Sequence, residues 1–145
     1  MQCQKGEIMA KVLNYGMVGG GPDAFIGDAH RRAISLDESA RLVAGVFSRN
    51  AEKSKKMGEV LHIEEERCYK DYETMALEEA KREDGIDFVV VVTPNASHYE
   101  ICKAFLNAGI HVVCDKPVTT TYEKAVELQK LAEEKSLLFM VTYTY

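Results

Sequence analysis

The chain has 145 residues, of which 46% are hydrophobic and 28% are charged, and its formal net charge is −5. These fractions are typical of one ordinary globular domain and exclude a disordered or fibrous chain. The longest aliphatic run, residues 89–92, is far shorter than the roughly 20 residues that a membrane-spanning helix needs. The negative charge argues against a nucleic-acid partner, so neither membrane nor nucleic-acid binding is predicted.

Four cysteines, at positions 3, 68, 102 and 114, form no CxxC pair and have no metal-ligand spacing. We therefore predict free thiols, no metal site and a reducing, cytoplasmic setting. No apolar segment typical of a signal peptide begins the chain, and residues 1–10 are expected to be a flexible extension before a domain at 11–145. The acidic clusters at residues 64–66 and 78–79 are expected to face solvent.

The first half of the chain alternates strand and helix patterns. Strands are predicted at residues 11–18, 41–47 and 67–69, and helices at about 26–34, 51–60 and 72–83. Asn50 and Asp71 are suitable N-caps for the last two of these helices.

The second half continues the alternation. Strands are predicted at residues 86–92, 110–114 and 137–143, with helices around 101–108 and 125–132 between them. A run of four valines in the first of these strands suits a strand buried on both faces. Gly109 is placed to end the first helix, and Thr120 with Glu123 predicts a capping box at the start of the second.

Six strands separated by helices predict parallel pairing through right-handed crossovers, with helices on both faces of the sheet. The count fits a doubly wound, three-layer α/β/α fold with strand order 3-2-1-4-5-6. Ligands of such sheets bind outside the carboxyl ends of the strands, so the loops that follow the strands are expected to carry the functional residues.

The loop after the first strand is rich in glycine and leads into a helix. Glycines permit close approach of the backbone to a ligand, and the free N–H groups at the start of the helix favour an anion. The loop is therefore predicted to hold the pyrophosphate of NAD or NADP, with Gly19, Gly20, Gly21, Phe25, Ile26 and Gly27 as binding residues. Its spacing departs from GxGxxG, because three extra residues separate Gly21 from Gly27.

The loop after the second strand bears on the choice of dinucleotide. An NAD-selective site carries an acid there for the ribose 2′-hydroxyl, whereas this loop has Ser48 and Arg49. A hydroxyl and a forked guanidinium suit a 2′-phosphate, so NADP is favoured slightly over NAD. A solvent-facing arginine beside a helix cap accounts for the same residues nearly as well, and both cofactors stay open.

Polar side chains also follow the valine strand and the strand after it. They are Thr93, Pro94, Asn95 and His98, and then Asp115 and Lys116. A lysine ammonium at this edge can hydrogen-bond a substrate hydroxyl and favour alkoxide character as hydride leaves. Lys116 and His98 are accordingly predicted as catalytic residues.

At these residues the chain resembles the glucose–fructose oxidoreductase / inositol dehydrogenase / rhizopine catabolism (Gfo/Idh/MocA) family. The likeness extends from about residue 11 to 145 and is carried by Gly19-Gly20-Gly21, Ile26-Gly27 with His30, Thr93-Pro94-Asn95 with His98, and Asp115-Lys116-Pro117. The last triplet is similar to the family's Glu-Lys-Pro signature with aspartate in the first place.

The resemblance implies an NAD(P)-binding Rossmann domain and assigns roles to the loop residues. Lys116 would contact both the substrate and the nicotinamide ribose, Asn95 and His98 would border the nicotinamide, and Pro94 would line the cofactor cleft. Thr93 and Asp115 would complete the cofactor site. The family's second domain supplies the remaining substrate contacts and the assembly surface, so we expect a cofactor-binding part that is inactive alone and oligomerises, if at all, through that domain.

The sequence is compatible with three functions. The first is an oxidoreductase that acts on a hydroxyl or carbonyl carbon of a sugar, polyol or related small molecule. The second is reduction of an unrelated small carbonyl or imine compound by the same residues. The third is a nucleotide-binding sensor without catalysis, which would have no requirement for Lys116.

Overall fold

The aliphatic strands pair side by side in one parallel sheet, and the computed structural model describes it over residues 11–143. The strands are β1 (Leu13–Gly19), β2 (Ala40–Val46), β3 (Phe88–Val92), β4 (His111–Asp115) and β5 (Phe139–Thr142). The helices are α1 (Phe25–Ser35), α2 (Ala51–Val60), α3 (Tyr72–Glu79), α4 (His98–Asn107) and α5 (Tyr122–Glu134). Short 3₁₀ turns lie at Glu65–Arg67 and Asn95–Ser97. The extension predicted at residues 1–10 lies outside the described residues.

The strand order is β2-β1-β3-β4-β5, and every adjacent pair is parallel. This confirms the doubly wound fold, whose topological switch point lies between β1 and β3. The strand predicted at residues 67–69 is wrong, because only Cys68 bridges to Gly45, beside the outer edge of β2. A 3₁₀ turn precedes Cys68 and directs the side chain of Arg67 into the protein, so no further residues pair there.

Alternating side chains of β3 form two apolar layers. Val89 and Val91 pack against one layer of helices, while Val90 and Val92 pack against residues on the opposite face. All four side chains are buried, as the valine run predicts. The sheet is therefore the middle of three layers, and its carboxyl edge is left open to form a site.

Helix ends follow the predicted caps at three of four positions. Asn50 accepts from the Lys53 N–H and Asp71 from the Thr74 N–H, and Gly109, at φ +82°, ends α4. The capping box at Thr120 is wrong: Thr121 is the N-cap of α5, and its hydroxyl accepts from the backbone N–H one turn later. Thr119 selects this register by donating its hydroxyl to the Thr121 carbonyl at 2.7 Å.

Helix α3 ends at Glu79, four residues earlier than predicted. The acidic cluster at residues 78–79 is expected from the sequence to face solvent, and Glu79 contradicts this expectation. The Glu79 side chain is fully buried and pairs with Arg67, whose Nε donates to Glu79 Oε1 at 3.0 Å. The hydroxyl of Tyr69 donates to the same carboxylate oxygen at 2.8 Å. A buried ion pair needs this additional hydrogen bonding to offset the desolvation of both charges.

None of the described helices is long and apolar enough to cross a membrane.

We predict that Glu79→Gln lowers the free energy of unfolding by about 3 kcal/mol, because it leaves the buried Arg67 guanidinium without a full counter-charge. Glu78→Gln is the matched control, since Glu78 is exposed and forms only a surface pair with Lys81. Its effect should stay below about 0.5 kcal/mol. Urea denaturation of both variants measures the difference, and equal losses would contradict the structural role of Glu79.

Candidate functional site

A cavity of about 700 Å³ opens at the carboxyl ends of β1, β2 and β3. Its wall is formed by residues 18–24, 46–49, 70–73, 92–94 and Ser97, together with Lys53 and Ile101. The predicted residues Gly19, Gly20, Gly21, Ser48, Arg49, Thr93 and Pro94 are thus brought together in one cavity. This is the switch-point crevice in which doubly wound sheets bind their ligands.

The glycine loop passes directly over the start of α1. Gly19 and Gly20 have φ of +94° and +73°, a conformation that side chains disfavour. A Cβ on Gly27 would lie 2.3 Å from the Gly20 Cα, and one on Gly19 would lie 2.8 Å from the Val92 carbonyl oxygen. Loop, helix and β3 therefore approach to backbone contact distance.

Helix α1 begins without a side-chain cap. Its N-cap is Ala24, whose own N–H donates to the Gly21 carbonyl at 3.0 Å. Side chains cap α2, α3 and α5, whereas α4, like α1, has no side-chain cap. The first N–H groups of a helix have no partner within it, and the positive end of the helix dipole adds to their attraction for an anion. Ala24 is the last residue of the glycine-loop segment that lines the cavity. Phe25 is largely exposed, and Ile26 packs on the apolar layer beneath.

Arg31 supports the glycine loop from below, and no sequence motif predicted this role. Its Nη1 donates to the Gly20 carbonyl at 2.9 Å and lies 3.4 Å from the Met17 sulfur. The side chain is only 12% exposed, whereas that of the adjacent Arg32 is 81% exposed. One turn of helix separates Arg31 from Gly27, and that spacing is the only sequence signal that could have indicated it.

The far end of the cavity carries three cations from three segments, Arg49, Lys53 and Lys70. The two lysines were not predicted; Lys53 lies in the first turn of α2, and Lys70 directly precedes the N-cap of α3. Ser48 Oγ accepts from the Asn50 N–H at 3.1 Å, which orients the hydroxyl beside Arg49.

Acidic residues at this end are Asp71 and Glu73. Hydrogen bonds from Thr74 hold the pKa of Asp71 below its usual value, and the carboxylate is directed to the cap of α3.

Like Phe25, Ile26 and Gly27, the predicted residues Asn95, Asp115 and Lys116 do not line the cavity. Asn95 and Lys116 are exposed, while Asp115 is half-buried at the end of β4. The Thr142 hydroxyl donates to Asp115 Oδ1 at 3.3 Å, and His30 Nε2 lies 3.9 Å from the same oxygen. Burial lowers the pKa of His30 despite this carboxylate, so His30 is predominantly neutral near pH 7.

His98 connects the loop after β3 with the loop after β4, and its side chain does not reach the cavity. The ring is fully buried, and its nitrogens lie 2.8 Å from two backbone carbonyls, Nδ1 from Pro117 O and Nε2 from Thr93 O. The direct catalytic role predicted for His98 disagrees with this position, because a buried ring with both nitrogens engaged cannot touch a ligand in the cavity.

Among residues 11–143, no group of three or more His, Cys, Asp or Glu side chains is arranged to hold a metal ion. Cys68, Cys102 and Cys114 are free thiols, and the last two are fully buried.

The profile of the GFO_IDH_MocA oxidoreductase family, described as having an NAD-binding Rossmann fold, matches residues 13–143. The uncharacterized oxidoreductase YfiI of Bacillus subtilis is 47% identical over 139 residues, which cover 95% of this chain and 35% of YfiI. The inositol dehydrogenase homolog of Azotobacter vinelandii, solved with NAD+, superposes with a TM-score of 0.90 and 42% identity over 92% of this chain and 34% of that protein. It has also been solved with NADH and myo-inositol.

The NADP(+)-dependent scyllo-inositol 2-dehydrogenase IolW of Bacillus subtilis is 43% identical over 65 residues, which are 45% of this chain and 18% of IolW. The chain spans about a third of the length of YfiI and of the Azotobacter protein.

We predict that Arg31→Met lowers the free energy of unfolding by about 1.5 kcal/mol, because the Gly20 carbonyl loses a charged donor. Amide hydrogen exchange in the glycine loop should become faster. Arg32→Met is the matched control and should change stability by less than about 0.5 kcal/mol, since its ion pair with Asp28 is on the surface. Urea denaturation and hydrogen exchange distinguish the two variants. Similar behaviour of both variants would show that Arg31 does not support the glycine loop.

Proposed function

We propose that this chain, which belongs to the Gfo/Idh/MocA oxidoreductase family, is the cofactor-binding part of an enzyme that transfers hydride between NADP(H) and a hydroxyl or carbonyl carbon of a sugar or polyol. The observation that carries the proposal is the contact between the glycine loop and the uncapped start of α1 at the edge of a 700 Å³ cavity. A pyrophosphate fits this arrangement, because the glycine backbone comes close to the helix start and the first N–H groups of α1 have no side-chain cap.

The cationic end of the cavity supports NADP over NAD. Arg49, Lys53 and Lys70 surround the position after β2 where NAD-selective sites carry an acid for the ribose. A guanidinium forms paired hydrogen bonds with a phosphate, and two ammonium groups add charge. Relatives of both kinds are known, since the Azotobacter protein was solved with NAD+ and IolW is named for NADP(+).

The chemical step assigns a role to Lys116. When bound, the nicotinamide supplies or accepts the hydride. The Lys116 ammonium would hydrogen-bond the oxygen of the reacting carbon and stabilise the negative charge that develops there. Asn95 and Pro94 would border the nicotinamide, and Asp115 would orient the loop through Thr142. Polyols are the favoured substrates because the Azotobacter relative was solved with myo-inositol. Further substrate contacts would come from the part of the relatives that this chain does not span.

NADP+ is expected to raise the thermal midpoint of the chain more than NAD+ does at equal concentration, because a ligand that binds only the folded state stabilises it. Absence of a shift with either nucleotide at millimolar concentration would refute the proposed cofactor site.

Arg49→Ala is predicted to weaken NADP+ binding about tenfold to a hundredfold, which corresponds to the loss of charge-assisted hydrogen bonds to the 2′-phosphate, and to leave NAD+ nearly unaffected. Lys56→Ala is the matched control, since Lys56 is exposed on α2 and does not line the cavity. Calorimetric titration of both nucleotides measures the ratio. Equal weakening of NAD+ and NADP+ would show that Arg49 does not select the cofactor.

In a protein that carries this chain together with the remaining part of its relatives, Lys116→Ala should reduce turnover about 10²- to 10⁴-fold and change NADP+ affinity little. The reason is that the ammonium acts on charge that appears only during reaction. Steady-state kinetics with a polyol series and nucleotide titration test both halves of this expectation. Undiminished turnover, or binding without any turnover in the unaltered protein, would favour a nucleotide sensor instead.

A further inference from the structure

We propose that His98 is a positioning residue that, as a buried imidazolium, fixes the Lys116 loop against the Thr93 loop. The part of this inference that concerns Lys116 rests on the proposed function, whereas the charge state of His98 does not. The residue stands at the first position of α4, behind the cavity wall, and its ring lies between the loops that follow the adjacent strands β3 and β4.

The two hydrogen bonds of the ring require both nitrogens to be donors. Nδ1 lies 2.8 Å from the Pro117 carbonyl oxygen, and Nε2 lies 2.8 Å from the Thr93 carbonyl oxygen. A carbonyl oxygen only accepts hydrogen bonds, and a neutral imidazole has only one N–H. In the neutral form one ring lone pair would face a carbonyl oxygen at hydrogen-bond distance, whereas the imidazolium satisfies both contacts.

An ionisable thiol, that of Cys114, lies beside the ring. Cys114, at the buried end of β4, interacts with His98, and Cys102 on α4 interacts with Cys114. Burial of the ring lowers the pKa of His98, but the Cys114 sulfur and the two carbonyls outweigh it and raise this pKa to about 9. The hydrogen bond from Cys102, together with His98, lowers the pKa of Cys114 to about 6. The pair therefore holds its proton on the imidazole, as the geometry of the carbonyls requires.

Other titratable groups around this pair have partners of their own. Asp115 follows Cys114 directly and lies 3.9 Å from His30 of α1. The hydrogen bond to Cys114 raises the pKa of Cys102, as does burial, so the Cys102 thiol stays protonated. Cys114 is thus the acidic group beside His98, and its Sγ also lies 3.3 Å from the Asp115 carbonyl oxygen.

The imidazolium would set the distance between two parts of the proposed site. Thr93 belongs to the cavity wall, whereas the Pro117 carbonyl lies one residue beyond Lys116. One rigid ring bonded to both loops fixes where the Lys116 side chain starts relative to the cavity. It does so without touching cofactor or substrate.

The charge state can be tested directly in this chain by nitrogen-15 NMR of the histidine side chains. The chain has four histidines, and the His98 signals are assigned by replacing His30, His62 and His111 with glutamine one at a time. At pH 8 both nitrogens of His98 should be protonated, and the proton should be lost at about pH 9. A neutral ring at pH 8 would overturn the inference.

Cys114→Ser tests the role of the Cys114 thiol, because a serine hydroxyl does not ionise in this range while it preserves the shape of the side chain. His98 should then lose its proton at a lower pH than in the unaltered chain. Cys68→Ser is the matched control, since Cys68 is remote from the ring at the β2 edge, and it should leave the titration unchanged. An unchanged His98 titration in Cys114→Ser would overturn the role of Cys114.

Positioning is tested by comparing two ligands with the His98→Gln variant, since glutamine can donate to only one loop at a time. NADP+ should bind about tenfold more weakly, because the Thr93 loop, whose Pro94 and Asn95 would border the nicotinamide, loses its bond to His98. Adenosine 2′,5′-bisphosphate, which lacks the nicotinamide half, should bind as before. Equal weakening of both ligands, or of neither, would overturn the positioning role. Failure of the unaltered chain to bind either ligand would instead overturn the proposed function, and with it the link to Lys116, while the NMR result decides the charge state alone.

Discussion

The contact between Gly20 and Gly27 is the constraint on which the rest of the site depends. A single Cβ on Gly27 would come within 2.3 Å of the Gly20 Cα, so the loop can cross the start of α1 only because both residues are glycine. This crossing brings the end of β1 and the free N–H groups of α1 to one edge of the cavity. Arg31 holds the arrangement from behind through the Gly20 carbonyl.

Two buried cationic groups organise the protein without lining the cavity. Arg67 and Glu79 connect the segment beside β2 to the end of α3, and His98 connects the loops after β3 and β4. Each is surrounded by acceptors that replace its lost hydration, which is the condition under which a buried charge is tolerated. By contrast, Arg49, Lys53 and Lys70 are exposed and line the cavity, where Lys70 lies 3.9 Å from Asp71.

Family membership and residue chemistry answer different questions about this chain. Membership in the Gfo/Idh/MocA oxidoreductase family establishes an NAD-binding Rossmann fold, and relatives solved or named with NAD+ and NADP+ leave the preference between them to the local residues. The cavity end after β2 bears on that preference because it carries three cations. The choice of substrate depends on contacts of which this chain, at about a third of the relatives' length, holds only a part.

The sequence by itself determined the alternation of strands and helices, the parallel order of the sheet and the placement of the glycine loop. Local patterns suffice for these, because a valine run, a cap such as Asp71 and a glycine at a helix end act over a few residues. The family resemblance predicted from the loop motifs is confirmed by the matching profile. Strand boundaries moved by only one or two residues from their predicted positions.

Only the tertiary structure decided the burial of Glu79, the reduction of the segment around Cys68 to one bridge, and the roles of Arg31 and His98. The partner that decides the outcome is either a side chain from another segment or a backbone group, which has no sequence signal. Arg67 is the partner of Glu79, and two backbone carbonyls are the partners of His98. A sequence shows which side chains can carry charge. Whether that charge faces a ligand or is enclosed by acceptors depends on how the chain folds around it.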